Sequence, residues 1–226
     1  MKKRLTLFIS LTLLCAMTLS ACAQTAVDTI LSAGTTQAFK ADAIAEDDLN
    51  IILQAGLSTA SAINQQPWHF AVITNQAITE EIGGAMSMGG APAGAPAPTD
   101  SANTPEDMPK MPASTGAKAG LGDSPAAIVI YMNESTPSPD ESFDCGLATQ
   151  NMVIAANALG YGTKIVSAPT MALNGDQHDE ICEKLGVDKA YHAVAVLLLG
   201  YTDTEVDGSS GASTRSTMDE KVSFIR

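Results

Sequence analysis

Ser213 carries its hydroxyl between an acid and a cation, with Asp207 six residues before it and Arg215 two residues after. The run Asp207-Gly-Ser-Ser-Gly-Ala-Ser213, followed by Ser216, concentrates hydroxyls among small residues. A serine hydroxyl is a group that can be esterified. The same composition also makes an ordinary Gly/Ser turn. Other reactive groups are sparse. His69, His178 and His192 are scattered, and no CxxC or Cys/His cluster has the spacing of a metal site. Met86, Met88, Met108 and Met111 offer thioethers, which suit copper(I), but their wide spacing reads as an irregular insertion.

The N-terminus sets the compartment. Met1-Lys2-Lys3-Arg4 is a positive start, Leu5 to Thr18 is mostly apolar, and Leu19-Ser20-Ala21-Cys22 has the small-residue form of a cleavage site. The stretch is too short for a transmembrane helix and is flanked like an export signal. It is similar to the lipobox of bacterial lipoproteins, which implies that residues 1–21 are removed and Cys22 is acylated. Residues 22–27 then form a short tether, and 28–226 one domain anchored to the outer side of a membrane. An ordinary cleaved signal with an incidental cysteine is the plainer alternative.

Residues 1–21 hold three of the 12 Lys and Arg, so nine cations face 25 acids in the remainder, a net charge of −16. Nucleic acid and anionic membrane surfaces are repelled by such a chain. With 45% hydrophobic residues the chain can bury one sizeable core. Outside the cytoplasm Cys145 and Cys182 are permitted to pair, although on separate helices they read better as small buried hydrophobes.

The elements that must position these groups follow from periodicity. Glu46-Asp47-Asp48 precede Leu49, Ile51, Ile52, Leu53 and Leu57, an amphipathic helix with acids at its positive end. Trp68 to Thr74 and Ala126 to Met132 read as strands. Between them Gly83 to Gly122 is rich in Gly, Ala, Pro and Met and reads as a low-complexity insertion. Asp144 to Gly160 is a helix apolar on most faces, expected in the middle of the domain and ended by Gly160. Lys164 to Ser167 reads as a short strand or loop, Asp176 to Leu185 as a polar helix, and Ala193 to Tyr201 as an apolar strand. This order predicts an α+β sandwich.

Ser61-Ala-Ile-Asn64-Gln-Gln66-Pro67-Trp68, opening a strand, resembles the P-S-x-x-N-x-Q-P-W pattern of the nitroreductase family, with Ala60 where the family usually has Pro. The resemblance continues through Asp28 to Leu31, Thr35 to Phe39, Asp144 with Gln150-Asn151, Ala158-Leu-Gly160, the strand 193–201, and Arg215 with Met218, Asp219 and Val222. It implies a homodimer with a mainly antiparallel sheet flanked by helices, and FMN bound at the subunit interface. It also implies that reduced pyridine nucleotide passes hydride to the flavin, which then reduces a small organic acceptor. The flavin supplies that chemistry, so no protein nucleophile is required.

Carried over position by position, the resemblance puts Ser61 and Asn64 against the flavin ring, Ser167 in a loop touching it, and Thr35 and Arg215 near the phosphate. Asn64 and Gln66 can equally cap the turn into the strand. Trp68 is expected in the core and His69 facing outward. The family opens with R-R-S-x-R/K-x-F, whose cations grip the phosphate and the ring edge, but here those positions are Ala33, Gly34 and Gln37. The run 207–216 offers a substitute, because Asp207 to Ser213 resembles the D-x-x-S-G-A-T/S pattern on which a flavin transferase esterifies FMN. An FMN tethered at Ser213 cannot dissociate, and the lost cations matter less. Reversible FMN binding and a cofactor-free lipoprotein of the same fold stay open beside this reading.

Overall fold

Ala126–Asn133 contains no charged residue and keeps both faces apolar, the pattern of a strand covered on two sides. In a computed structural model, which describes residues 27–88, 121, 124–135, 140–205 and 216–225, this segment is an interior strand of the sheet. The strands are β1 (Trp68–Ile73), β2 (Ala126–Asn133), β3 (Gly162–Val166) and β4 (Tyr191–Gly200). They lie in the order β1-β2-β4-β3, every pair antiparallel. The register of β2 on β4 jumps from Ile130↔Ala195 to Tyr131↔Ala193, a bulge that passes over Val194.

Helices cover both faces. Helix α1 (Glu46–Leu57) and the long α3 (Glu141–Ala158) bring Ile52, Ala148, Met152 and Ala156 onto Ile128, Ile130, Leu197 and Leu199. On the other face lie α2 (Gln76–Met88), α4 (Thr170–Leu173) and α5 (His178–Leu185). They pack Ile82, Leu173, Ile181 and Cys182 over Val129, Tyr131, Val196 and Leu198. Gly56 lets α1 approach α3, since a Cβ there would meet Met152 Cγ at 2.8 Å. A last turn, α6 (Met218–Lys221), starts at a capping box formed by Thr217 and Glu220. Residues 27–32 are also helical.

The α+β expectation holds, with three differences. Helix α2 continues to Met88, into the segment assigned from Gly83 to the insertion, because Ile78 and Ile82 already provide apolar contacts one turn apart. The rest of that insertion, residues 89–120, lies outside the described residues. Helix α3 begins at Glu141, three residues earlier than its apolar pattern, because Asp140 caps it by accepting the Phe143 N–H at 2.9 Å. It is also not surrounded: Phe143 is 62% and Leu147 39% exposed on the face turned from the sheet. Cys145 and Cys182 are buried and unpaired. Trp68 is in the core, stacked with Phe70 at 6.3 Å between ring centroids. His69 is half-buried rather than outward, its ring edge-on to Tyr191 across the sheet.

Candidate functional site

The loop before β1 is folded under strain. Ile63, Asn64 and Gln66 have φ of 44°, 61° and 47°, the left-handed region that costs side-chain-bearing residues about 1–3 kcal/mol each. Hydrogen bonds hold it there. Ser61 Oγ accepts the Gln66 N–H at 2.9 Å, Ser61 O accepts the Asn64 N–H at 3.0 Å, and the Gln66 amide donates to Asn64 Oδ1 at 3.2 Å. The buried carboxylate of Asp144, in the first turn of α3, accepts the Ala62 N–H at 3.0 Å. A second tie joins the same helix to the end of α1, Asn151 donating to Thr59 Oγ1 at 2.7 Å. Asn64 and Gln66 thus brace the turn through their side chains and remain exposed, so the structural and the binding readings of these two residues coexist.

A second cluster forms where residues 35–40 cross β3. Thr36 N–H donates to Thr163 O at 2.9 Å and its buried hydroxyl meets that of Thr202 at 3.2 Å. Further along, Lys40 N–H donates to Tyr201 O and Asp203 N–H to Ala38 O, flanking a bridge between Phe39 and Thr202. This strap leaves Thr35 and Gln37 exposed. The Lys164 ammonium, from β3, donates to Gln37 Oε1 at 3.3 Å. Ser167, just past the same strand, is exposed. Residues 203–205 leave this cluster and lead directly into the run containing Ser213. Ser213, Arg215 and Cys22 themselves lie outside the described residues.

The two clusters sit at opposite ends of α3. Asp144 holds the 61–66 loop, while Asn157 donates to Thr163 Oγ1 at 3.2 Å, beside the strap. Thirteen residues of helix separate these anchors, a rise of about 20 Å. Across the sheet, β1 and β3 are the two edges, about 14 Å apart over three strand spacings. One chain therefore gathers Thr35, Gln37 and Ser167, and keeps Ser61 and Asn64 apart from them. Two contributors escaped sequence reasoning. Asp144 was visible only in the match to the family's central helix, without a role, and Lys164 only as the start of a short strand or loop.

Among the described residues no three His, Cys, Asp or Glu gather as metal ligands. The large pKa displacements lie elsewhere. Burial, with Asp144 and Glu141 nearby, pushes the Cys145 thiol up to about 12. Tyr161 is raised by its hydrogen bond with Tyr201, then by burial and the hydrogen bond it donates to Asp48, and Tyr131 is raised by burial. What the clusters offer is exposed hydroxyls, amides and the ammonium groups of Lys40 and Lys164, beside the apolar Ile63 and Ile165. Such a surface can bind and orient a flat, partly apolar ligand that carries an anionic group.

Comparison with known proteins supplies relatives. A family described as "Nitroreductase family" matches residues 30–201. A protein of Archaeoglobus fulgidus named "Putative NADH dehydrogenase/NAD(P)H nitroreductase" is 25% identical over 167 residues, covering 73% of this chain and 78% of that protein. One of the same name from Methanothermobacter thermautotrophicus is 27% identical over 121 residues, 53% of this chain and 48% of that protein. Among solved structures, a nitroreductase with bound FMN from Bacteroides fragilis superposes with a TM-score of 0.66 at 18% identity, covering 89% of this chain and 98% of that one. Another with bound FMN, from Desulfitobacterium hafniense, has a TM-score of 0.68 at 18% identity and the same coverage.

Proposed function

This chain belongs to the nitroreductase family, and from that membership we propose that it is an FMN-dependent oxidoreductase, exported and lipid-anchored through Cys22. The observation that carries the reading is the Ser61–Gln66 loop. Three non-glycine residues are kept in left-handed conformations by Ser61, Asn64 and Asp144, at the segment that carries the family motif. Strain of this kind persists where a fixed shape is needed. The exposed residues fit FMN by type: hydroxyls of Thr35 and Ser167, amides of Asn64 and Gln37, and apolar Ile63 and Ile165.

The working molecule is a homodimer. Thr35, Gln37 and Ser167 lie at one sheet edge and Ser61 and Asn64 at the other, so one ligand meets both sets where two copies adjoin. Phe143 and Leu147 on the exposed face of α3, with Val222 and Ile225 after α6, supply apolar surface for that contact.

FMN is joined to Ser213. Forming the ester requires an activated flavin. The Ser213 oxygen bonds to the FMN phosphorus of a flavin dinucleotide, the bond to the departing AMP breaks, and a flavin transferase takes the hydroxyl proton. The attachment compensates for Ala33, Gly34 and Gln37, which leave those three positions without the cations a free phosphate needs. When bound, the flavin supplies electron transfer to a small organic acceptor; this chain's residues hold and orient it. Pyridine nucleotide is scarce outside the cytoplasm, so a membrane or extracytoplasmic donor fits this location better.

The test is co-expression of the full chain with a flavin transferase, followed by denaturing electrophoresis. Wild type retains flavin fluorescence on the gel and Ser213→Ala loses it. Equal absence of flavin from both, on the gel and in the native absorbance spectrum, overturns the reading. Flavin that is present natively in both but on neither denatured chain leaves a reversible FMN enzyme.

A further inference from the structure

We propose that Lys164 is a flavin-binding cation of this chain, standing in for those missing at positions 33, 34 and 37. The proposal rests on the flavoprotein reading above and adds a residue that the family motifs do not mark. The segment 33–37 presents Ala, Gly, Thr, Thr and Gln, with no charge of its own. The strand beneath it does have one. Thr36 N–H donates to Thr163 O at 2.9 Å, which fixes the register between strap and strand. In that register the next residues, Gln37 and Lys164, face each other, Nζ to Oε1 at 3.3 Å. Lys164 thus puts a positive charge on β3 beside a segment 33–37 that has none, while Lys40 of the strap lies further along, its N–H on Tyr201 O.

The choice of partner is informative in a chain with 25 acidic residues. Lys184 pairs with Glu81, and Lys189 with Asp179 at 3.2 Å. Lys164 instead meets a neutral amide, which takes one of its three donors and none of its charge. An ammonium with no acidic partner among the described residues, on Gln37 of the segment that exposes Thr35 and three residues before exposed Ser167, suits an anionic ligand. An amide acceptor orients it without competing for that ligand. FMN offers two groups a cation serves, the phosphate and the electron-rich edge of the ring, and the test distinguishes them.

Full-length chain made without a flavin transferase, so that Ser213 is unmodified, is titrated with FMN and with riboflavin while flavin fluorescence is followed. Lys164→Gln weakens FMN binding by about tenfold or more, the loss expected for one charge-assisted contact, and Lys164→Arg recovers most of it. Weakening confined to FMN assigns the contact to the phosphate. Equal weakening of both flavins assigns it to the ring. Unchanged affinity in Lys164→Gln overturns the proposal while the flavoprotein reading stands. A wild type that binds neither flavin up to millimolar concentration also overturns Lys164 as a flavin grip. Whether the wider reading falls with it is then decided by the denaturing-gel experiment on Ser213.

Discussion

Asp144 Oδ2 accepts the backbone N–H of Ala62 at 3.0 Å, across 82 residues of sequence. The first turn of the central helix thereby holds the loop that carries Ser61 and Asn64, and any movement of that helix moves the loop. Asp144→Ala removes the acceptor and frees a strained segment, at a cost of about 1–3 kcal/mol. Asp144→Asn keeps an acceptor and costs roughly half as much. Urea denaturation of the three proteins checks this order, and an Asp144→Ala midpoint equal to wild type refutes it.

Ile63 is a β-branched residue at φ 44°, 77% exposed. Its side chain gains little from burial and its backbone is disfavoured by about 1 kcal/mol. Ile63→Asn should therefore stabilise the monomer by up to about 1 kcal/mol, since Asn tolerates this region without the flexibility of Gly. If the loop meets a second copy, the same substitution weakens dimerisation. Thermal midpoints at low protein concentration, together with sedimentation across a concentration series, separate the two effects. A lower midpoint in the dilute monomer argues against relief of strain.

How far the sequence led can be judged at single residues. The strands read over 126–132 and 193–201 lie at Ala126–Asn133 and Tyr191–Gly200, because short apolar runs rich in β-branched and aliphatic residues suit covered strands. Helix α2 was hidden, because two isoleucines one turn apart precede Gly83 and a low-complexity stretch that mask the period. Thr35 and Gln37 are placed by backbone hydrogen bonds of their neighbours, Thr36 N–H donating to Thr163 of β3 and Ala38 O accepting from Asp203, and backbone pairing leaves no mark on residue type. Lys164 illustrates the same limit, since a lone lysine on a short edge strand has no period and no motif. The separation of Ser61 from Ser167 depends on strand order, which a linear pattern does not contain.

Tyr131 is fully buried, and its hydroxyl has no hydrogen-bond partner among the described residues. An orphaned hydroxyl loses its hydration without repayment, so Tyr131→Phe should be neutral or stabilise by about 1 kcal/mol. A chemical-denaturation midpoint clearly below wild type would mean that the oxygen has a partner in solution, such as a bound water.

Burial raises the thiol of Cys145 from 9.0 to about 12 and also raises the phenol of Tyr131. Both groups hold their protons more tightly folded than unfolded. Their contribution to stability is complete below the unfolded pKa and is lost as pH rises towards the folded one. Stability should thus fall between about pH 9 and 12, with a shallower slope in Cys145→Ala. Denaturant midpoints from pH 8 to 11 measure it. Native Cys145 should also resist thiol reagents at pH 8 until the chain unfolds. Rapid labelling of the folded protein at that site would contradict its burial.

Gly162 lies where the strap meets the sheet, and a Cβ there would collide with both Thr36 Oγ1 and Thr202 Oγ1, well inside contact distance. Those hydroxyls are themselves paired at 3.2 Å, so neither can withdraw without losing the other. Gly162→Ala should cost about 1–3 kcal/mol as an overpacked site, and it should loosen the segment that presents Thr35 and Gln37. Adding Thr36→Ala alone leaves the Thr202 oxygen in the way, and Thr202→Ala alone leaves that of Thr36. Only Gly162→Ala with both threonines replaced should recover part of the loss relative to the double threonine variant. Denaturation midpoints across this series test the shared collision. Full tolerance of Gly162→Ala in the wild-type background would mean that strap and sheet are not in the contact described.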